Sequence, residues 1–152
     1  MLPPIEFKVC GQGDNPTAYN ECEEFIKKWQ KILNIQEWGI KLGFLSGIEI
    51  HRSMGSEDYN ALCERTSENK SAAISINAES EQINKDLERT LIHELLHIVF
   101  DDYQTVVELA VKDDYARKII NLKMEQTIES LAKSFVNFIK ESEADGNDSV
   151  GQ

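Results

Sequence analysis

Two histidines and a glutamate stand close together in the segment His93-Glu94-Leu95-Leu96-His97. Four residues advance an α-helix by about 400°, so His93 and His97 lie one turn apart on nearly the same face. Two imidazoles placed in this way can bind one tetrahedral zinc ion. Glu94 lies next to them in angle, close enough to polarise a zinc-bound water without being a ligand. The segment therefore predicts a zinc site with a general base beside it.

The residues around this segment predict a buried helix that carries one polar stripe. Half of the sixteen residues from Lys85 to Phe100 are apolar, and a set of polar residues recurs three or four positions apart, at Asp86, Thr90, His93, His97 and Asp101. The alternative is a pair of core histidines hydrogen-bonded to neighbouring carbonyl groups. Two histidines and a carboxylate on a buried stripe are unfavourable unless they are paired or bind a metal, which favours the metal site.

A catalytic zinc site needs a third protein ligand and an open position for water. Asp101 is strained as a third ligand on the same helix, so we expect it to support a histidine ligand from behind. A long C-terminal helix offers Glu125 and Glu129 instead. At about 100° per residue, Glu125 lies roughly 90–100° from the centre of the apolar face of that helix, and Glu129 lies roughly 140° from it. Glu125 is favoured as the third ligand, and Glu129 stays open as the alternative.

Composition restricts the possible partners. The chain has 152 residues, which suits one domain, and a net charge of −11 from 27 acidic and 16 basic residues. This charge argues against nucleic acid or an anionic membrane as a partner. There is no secretory signal pattern and no run that could span a bilayer, and the three cysteines form no C-x-x-C pair. A cytoplasmic protein with reduced thiols is therefore expected.

Hydrophobic periodicity predicts the elements that position these side chains. The spacing predicts a helix at 16–34, after an irregular lead-in, and a strand at 37–45. Ile48 and Ile50 suggest a second strand, and further strands are expected at 59–65 and 71–77. Asn84 is expected to cap a metal helix that runs to about Asp101. Residues 105–111 form either a short helix or a loop, and a long helix covers about 116–140.

These elements together predict an α+β fold. Short turns favour a small, mostly antiparallel sheet packed on the metal helix, with a long C-terminal helix that supplies the glutamate ligand. Residues 1–140 are expected to form a single domain. Residues 141–152 contain almost no apolar side chains and are expected to form a disordered acidic tail.

With this order of elements, the chain resembles the gluzincin-type H-E-x-x-H zinc metallopeptidases, especially the minimal ones and those encoded by phages and prophages. The resemblance covers about residues 17–140 and is carried by His93-Glu94-Leu95-Leu96-His97 and by Glu125-x-x-x-Glu129. It implies a zincin-like fold, Zn²⁺ as cofactor and a peptide or protein substrate. It also implies that the last strand, 71–77, runs along the cleft and pairs with an extended substrate.

We therefore expect a zinc metalloendopeptidase in which His93, His97 and Glu125 bind Zn²⁺. Glu94 accepts a proton from water and returns it to the leaving amine. Two alternatives stay open. The glutamate helix also resembles that of antirepressor-type peptidases, which implies a regulatory enzyme acting on one partner protein. A non-catalytic zinc-binding interaction domain is the other, although Glu94 favours an enzyme. Tyr103, Tyr115 and His51 are candidates, by residue type only, for stabilising an oxyanion.

Overall fold

A computed structural model describes residues 6–7, 16–54 and 59–147. The predicted lead-in, apart from residues 6–7, and the end of the predicted tail, 148–152, lie outside the described residues. The elements along the chain are β1 (Glu6–Phe7), α1 (Pro16–Ile32), β2 (Gly39–Leu45), α2 (Gly47–Met54), β3 (Ala61–Thr66), β4 (Ser71–Asn77), α3 (Glu81–Val99), α4 (Asp101–Ala110) and α5 (Asp114–Asn147).

The four described strands form one mixed sheet in the order β1-β2-β4-β3. β2 pairs in parallel with β1 and with β4, and only the β3–β4 pair is antiparallel. The prediction of a mostly antiparallel sheet is therefore wrong, although the α+β class is confirmed. The chain leaves β2 through a helix, places β3 at the far edge and returns with β4 in the middle. Sequence spacing alone does not reveal that order.

The segment after β2 is a helix, so the strand predicted from Ile48 and Ile50 is wrong. Ser46 and Glu49 close the start of α2 reciprocally. The Ser46 backbone N–H donates to the Glu49 carboxylate at 2.9 Å, and the Glu49 N–H donates to the Ser46 hydroxyl oxygen at 3.3 Å. This is a capping box, which begins a helix by satisfying two otherwise unpaired backbone donors. The short alternation of Ile48 and Ile50 could not outweigh these capping hydrogen bonds.

A tight turn joins β3 to β4. A short 3-10 turn at Ser67–Asn69 is followed by Lys70 in the left-handed conformation, with φ 51° and ψ 49°. β4 covers the residues that the sequence predicted, whereas β3 starts at Ala61 rather than at Tyr59. Because β4 is hydrogen-bonded to a strand on each side, it is an inner strand, and β3 and β1 are the two edge strands of the described sheet.

One hydrophobic core lies between the sheet and helices α1, α3 and α5. Alternate residues of β2 and β4 point into it, as period-2 patterning requires. The largest fully buried side chains include Ile26 and Trp29 of α1, Ile40 and Leu42 of β2, Ile74 and Ile76 of β4, Leu91, Ile92 and Leu95 of α3, and Ile128 of α5.

The helices begin and end at different residues from those predicted. α3 starts at Glu81 with Ser80 in the N-cap position, so Asn84 is not the cap, and the backbone is kinked at Asp86 (φ −152°, ψ 50°). The segment 105–111, for which the sequence predicted either a short helix or a loop, lies almost entirely in helix α4. α5 continues to Asn147, so residues 141–147 are helical where the start of a disordered tail was expected. A helix already fixed by packing adds further turns at little cost in free energy.

Among the described residues, none of the helices combines the length and apolar character needed to cross a lipid bilayer.

Candidate metal centre

The helix α3 separates its core residues from its polar stripe. Leu91, Ile92 and Leu95 are at most 1% exposed and anchor the helix in the core. His93 and His97 project from another face, with their ring centroids 5.0 Å apart and the rings tilted by 67°. The sequence positions the two imidazoles through local helical geometry, because residues four apart share a face.

The helix α5 brings a carboxylate to both rings. Its residues Met124 and Ile128 are buried against the core, which fixes the helix beside α3. Glu125 then faces the two histidines: its carboxylate oxygens lie 3.5 Å from His93 Nε2 and 3.5 Å from His97 Nε2. One ligand atom from each of the three residues can be chosen so that all lie within 4.8 Å of one another. The structure thus brings together the three predicted ligands.

The two 3.5 Å distances are long for hydrogen bonds and close to the spacing of two ligand atoms on one metal ion. Zinc bonds of about 2.05 Å in tetrahedral geometry place two ligand atoms about 3.4 Å apart, whereas N–H···O hydrogen bonds cluster near 2.9–3.0 Å. The Glu125 side chain is 48% exposed, so the group is open to solvent on one side. Two imidazoles and one carboxylate with an open position form the ligand set of a catalytic zinc site.

Glu129 contacts a different ring nitrogen of His93 from the one that Glu125 faces. Its carboxylate oxygen lies 3.1 Å from His93 Nδ1, the ring nitrogen that does not face Glu125. Arg89 and Lys133 flank the same carboxylate, at 3.8 and 3.2 Å. A carboxylate on one ring nitrogen fixes the tautomer and orientation of the imidazole and leaves the other nitrogen for a metal. The structure therefore places Glu129 against Nδ1 of His93 and Glu125 against Nε2 of both histidines.

Asp101 does not support a histidine as expected. It is the first residue of α4, is 6% exposed, and accepts hydrogen bonds from Arg65 Nε at 3.0 Å and from the Ser67 hydroxyl. Both partners belong to the β3 strand and its turn. The predicted stripe placed Asp101 on the metal helix, but α3 ends at Val99, and helical spacing could not show which distant strand packs against Asp101.

Glu94 is 5% exposed and lines the cleft beside the two histidines. Burial raises the pKa of its carboxyl to about 7, although the charges of His93 and Arg65 lower it. A carboxylate is poorly solvated in such a place, which makes it a stronger base than an exposed one. The pKa lies close to neutral pH, where a general base is most effective.

The two histidines differ electrostatically. Burial lowers the pKa of His97 well below its ordinary value, so the ring is neutral and can bind a metal. Burial also opposes the charged form of His93, but the hydrogen bond with Glu125 and the nearby carboxylates outweigh it and raise its pKa. Glu125 shows the reciprocal effect, since its hydrogen bond to His93 lowers the pKa of its carboxyl.

The open side of the group faces a cleft of about 480 Å³. One wall is the edge strand β3, the floor is α3, and Glu125 and Gln104 complete the rim. The lining residues are Tyr59, Ala61, Leu62, Cys63, Arg65, His93, Glu94, His97, Gln104 and Glu125. The strand predicted to run along the cleft was β4, and this is wrong: β4 is paired on both sides, and β3 is the strand that lines the cleft.

Several cleft residues were not identified from the sequence, among them Arg65 and Tyr59. Arg65 and Tyr59 line the cleft, whereas Tyr103, Tyr115 and His51 are not among its lining residues. The available signal was strand periodicity, because Ala61, Cys63 and Arg65 alternate along β3 and lie on one face. Cys63 is an unreactive thiol here, since burial and the charge of Glu94 raise its pKa to about 12.

Comparison of the chain with protein-family models, with curated proteins and with solved structures found no match. We therefore infer its function from the residues and geometry of this chain alone.

Proposed function

We propose that the protein is a zinc metallopeptidase that hydrolyses peptide bonds in the cleft between β3 and α3. The observation that carries this proposal is the arrangement of His93, His97 and Glu125 around one point, with the buried Glu94 beside them. A purely structural zinc site closes with four protein ligands and has no need of a buried base. Here three ligands face an open cleft.

His93, His97 and Glu125 would hold the zinc ion. When bound, zinc lowers the pKa of a coordinated water towards about 7 and acts as a Lewis acid. Two neutral imidazole nitrogens and one carboxylate oxygen match the preference of zinc for mixed nitrogen and oxygen donors. Glu129 keeps the Nε2 atom of His93 turned towards the ligand group by holding Nδ1.

Glu94 acts as general base and then as general acid. Its carboxylate accepts a proton from the attacking water and returns it to the leaving amine. Burial supports this role because it raises the basicity of the carboxylate. The residue stands next to a ligand on the same helix, so its distance from the reacting water is fixed by local backbone geometry.

β3 supplies the docking edge for the substrate. Among the described strands it pairs with β4 alone, so its outer edge carries backbone N–H and C=O groups free to bind an extended peptide. Adding a strand to an exposed edge gives affinity through main-chain hydrogen bonds and specificity through alternate side-chain pockets. A zincin-like gluzincin of the phage-encoded, cytoplasmic type fits this arrangement.

The deciding experiment measures metal and cleavage together. Purified wild type is expected to bind one zinc ion per chain, and His97→Ala is expected to lose it. Glu94→Gln should bind zinc like wild type but should not cleave a peptide library or trim its own C-terminal residues during long incubation. Zinc binding with no cleavage in either protein would instead assign a non-catalytic interaction domain. A folded protein that does not bind zinc would overturn the whole proposal.

A further inference from the structure

Arg65 stands in the cleft but has no part in the chemistry described so far. It is the only lysine or arginine among the described residues that line the cleft. It lines the same cleft as the three proposed metal ligands and Glu94. Its side chain is 14% exposed, so it is held in place rather than moving freely in solvent.

Protein contacts fix one part of this guanidinium. Nε donates to Asp101 at 3.0 Å, one Nη2 hydrogen is donated to Gln104, and the group also contacts the Cys63 thiol. A guanidinium carries five N–H donors, and these three contacts use at most three. At least two donors therefore have no acceptor among the residues that the structure describes. Since the side chain lines the cleft, these donors are available to a bound molecule.

A purely structural role accounts for only part of this arrangement. The pair Arg65–Asp101 ties β3 to the start of α4, and Ser67 completes the coordination of the aspartate. An isolated structural pair would use the guanidinium as a bidentate fork on Asp101. Instead, Asp101 accepts from one donor and Gln104 from another, and the Arg65 side chain also lines the cleft. The group is positioned by two neighbours and available to a third partner.

We propose that Arg65 binds a carboxylate of the peptide substrate, as the specificity-determining residue of the cleft; this assignment rests on the proposed peptidase function. Arginine recognises carboxylates through two parallel N–H···O bonds, and Arg65 has at least two N–H donors with no acceptor among the described residues. A bound Zn²⁺ would add positive charge to the same cleft and further favour an anionic ligand. The carboxylate is either an acidic side chain or the free C-terminus of the peptide.

The test uses ligands that need no knowledge of the natural substrate. Hydroxamates chelate zinc, so the probes are the monohydroxamates of malonic, succinic and glutaric acid, each compared with its neutral amide. Isothermal titration calorimetry on the zinc-loaded protein gives the ratio of the two dissociation constants. For at least one of the three acids, the carboxylate probe should bind wild type about 10–100-fold more tightly than its amide, because a charge-assisted pair of hydrogen bonds provides a gain of that size.

Three variants identify the group responsible. In Arg65→Gln the preference should fall to about one, while zinc stoichiometry and amide binding stay at the wild-type level. Arg65→Lys keeps the charge without the fork and should retain only part of the preference, and it serves as the second variant should Arg65→Gln unfold. Arg117→Gln is the matched control, because Arg117 pairs with Asp114 at the start of α5 and does not line this cleft. It should keep the full preference.

Two matched pairs of peptide hydroxamates separate the sources of the carboxylate. One pair ends in alanine as the free acid or the amide, and the other carries Asp or Asn before an amidated end. Preference for the free acid assigns the substrate C-terminus, and preference for Asp assigns an acidic side chain. Either preference supports the proposal if it disappears in Arg65→Gln.

The possible failures are distinguishable. Hydroxamates that bind wild type with no carboxylate preference at any length would overturn the role of Arg65 and leave the metal centre intact. A preference that survives in Arg65→Gln would do the same. If neither the acids nor the amides bind zinc-treated wild type, both the metal centre and the assignment of Arg65 fail together.

Discussion

Glu94 and Asp101 are two carboxylates with nearly equal burial, 5% and 6% exposed, and opposite surroundings. Asp101 receives hydrogen bonds from Arg65 and Ser67, which compensate its charge and join α4 to the β3 strand and its turn. Glu94 lies on the cleft floor, where burial raises its pKa to about 7. The burial of a carboxylate therefore does not reveal its role by itself. Its neighbouring groups distinguish a carboxylate that makes a structural contact from one that can react.

The largest effect should come from removing the reactive carboxylate. Glu94→Gln keeps the shape of the side chain but cannot accept a proton, so cleavage of any true substrate should fall by about 10²–10⁴-fold. Initial rates on a substrate found from a peptide library measure this. Zinc content, measured by atomic absorption, should be unchanged. Equal cleavage by the two proteins would show that Glu94 is not the base.

Breaking the structural carboxylate should instead lower stability. Asp101→Ala leaves Arg65 partly buried without its counter-charge, so the free energy of unfolding in urea should fall by about 3–5 kcal/mol. The exposed pair Asp114–Arg117 is the control, because Asp114→Ala should change stability by about 1 kcal/mol or less. Similar losses in both variants would contradict the structural role given to Asp101.

Glu94 should also lower the stability of the metal-free protein. Its pKa is raised from 4.5 to about 7 in the folded state, so folding becomes less favourable as pH rises from about 4.5 to 7. Glu94→Gln lacks this titration and should be more stable than wild type at pH 8, by about 3 kcal/mol. The difference should vanish near pH 4. Urea unfolding in a chelating buffer measures it, and a less stable variant at pH 8 would refute the reasoning.

The smallest expected effect separates Glu129 from Glu125. Glu129→Ala removes the group that orients His93 and should weaken zinc binding by about 10–100-fold. Glu125→Ala removes a ligand and should weaken it more. Competition against a chelator of known zinc affinity gives both constants. Equal or inverted losses would exchange the roles of the two glutamates.

Sequence reasoning was most useful where the geometry is local. The shared face of His93 and His97 follows from helical spacing, and the angle around α5 favoured Glu125, whose carboxylate lies 3.5 Å from both rings; that Glu125 binds a metal stays a prediction. The partner of Asp101 could not be predicted, because Arg65 is 36 residues away in sequence and reaches it through the sheet. The order of the strands in the sheet could not be predicted for the same reason.

One failure was local and avoidable. Ser46 and Glu49 form a capping-box pattern that marks the start of α2, but the alternation of Ile48 and Ile50 suggested a strand. Four residues are too few for periodicity to outweigh a specific pair of capping hydrogen bonds. Recognising the cap would have removed one predicted strand, and with it the main support for a mostly antiparallel sheet.

The ligand positions on α3 and α5 also give the metal a mechanical role. His93 and His97 lie on α3 and Glu125 lies on α5, so a bound ion would link two helices that otherwise contact each other through side-chain packing. An ion present at 100 times its dissociation constant adds about 2.7 kcal/mol to the stability of the fold. The supply of free zinc would then set how long each copy of the chain resists unfolding and degradation, independently of whether it is cleaving a substrate.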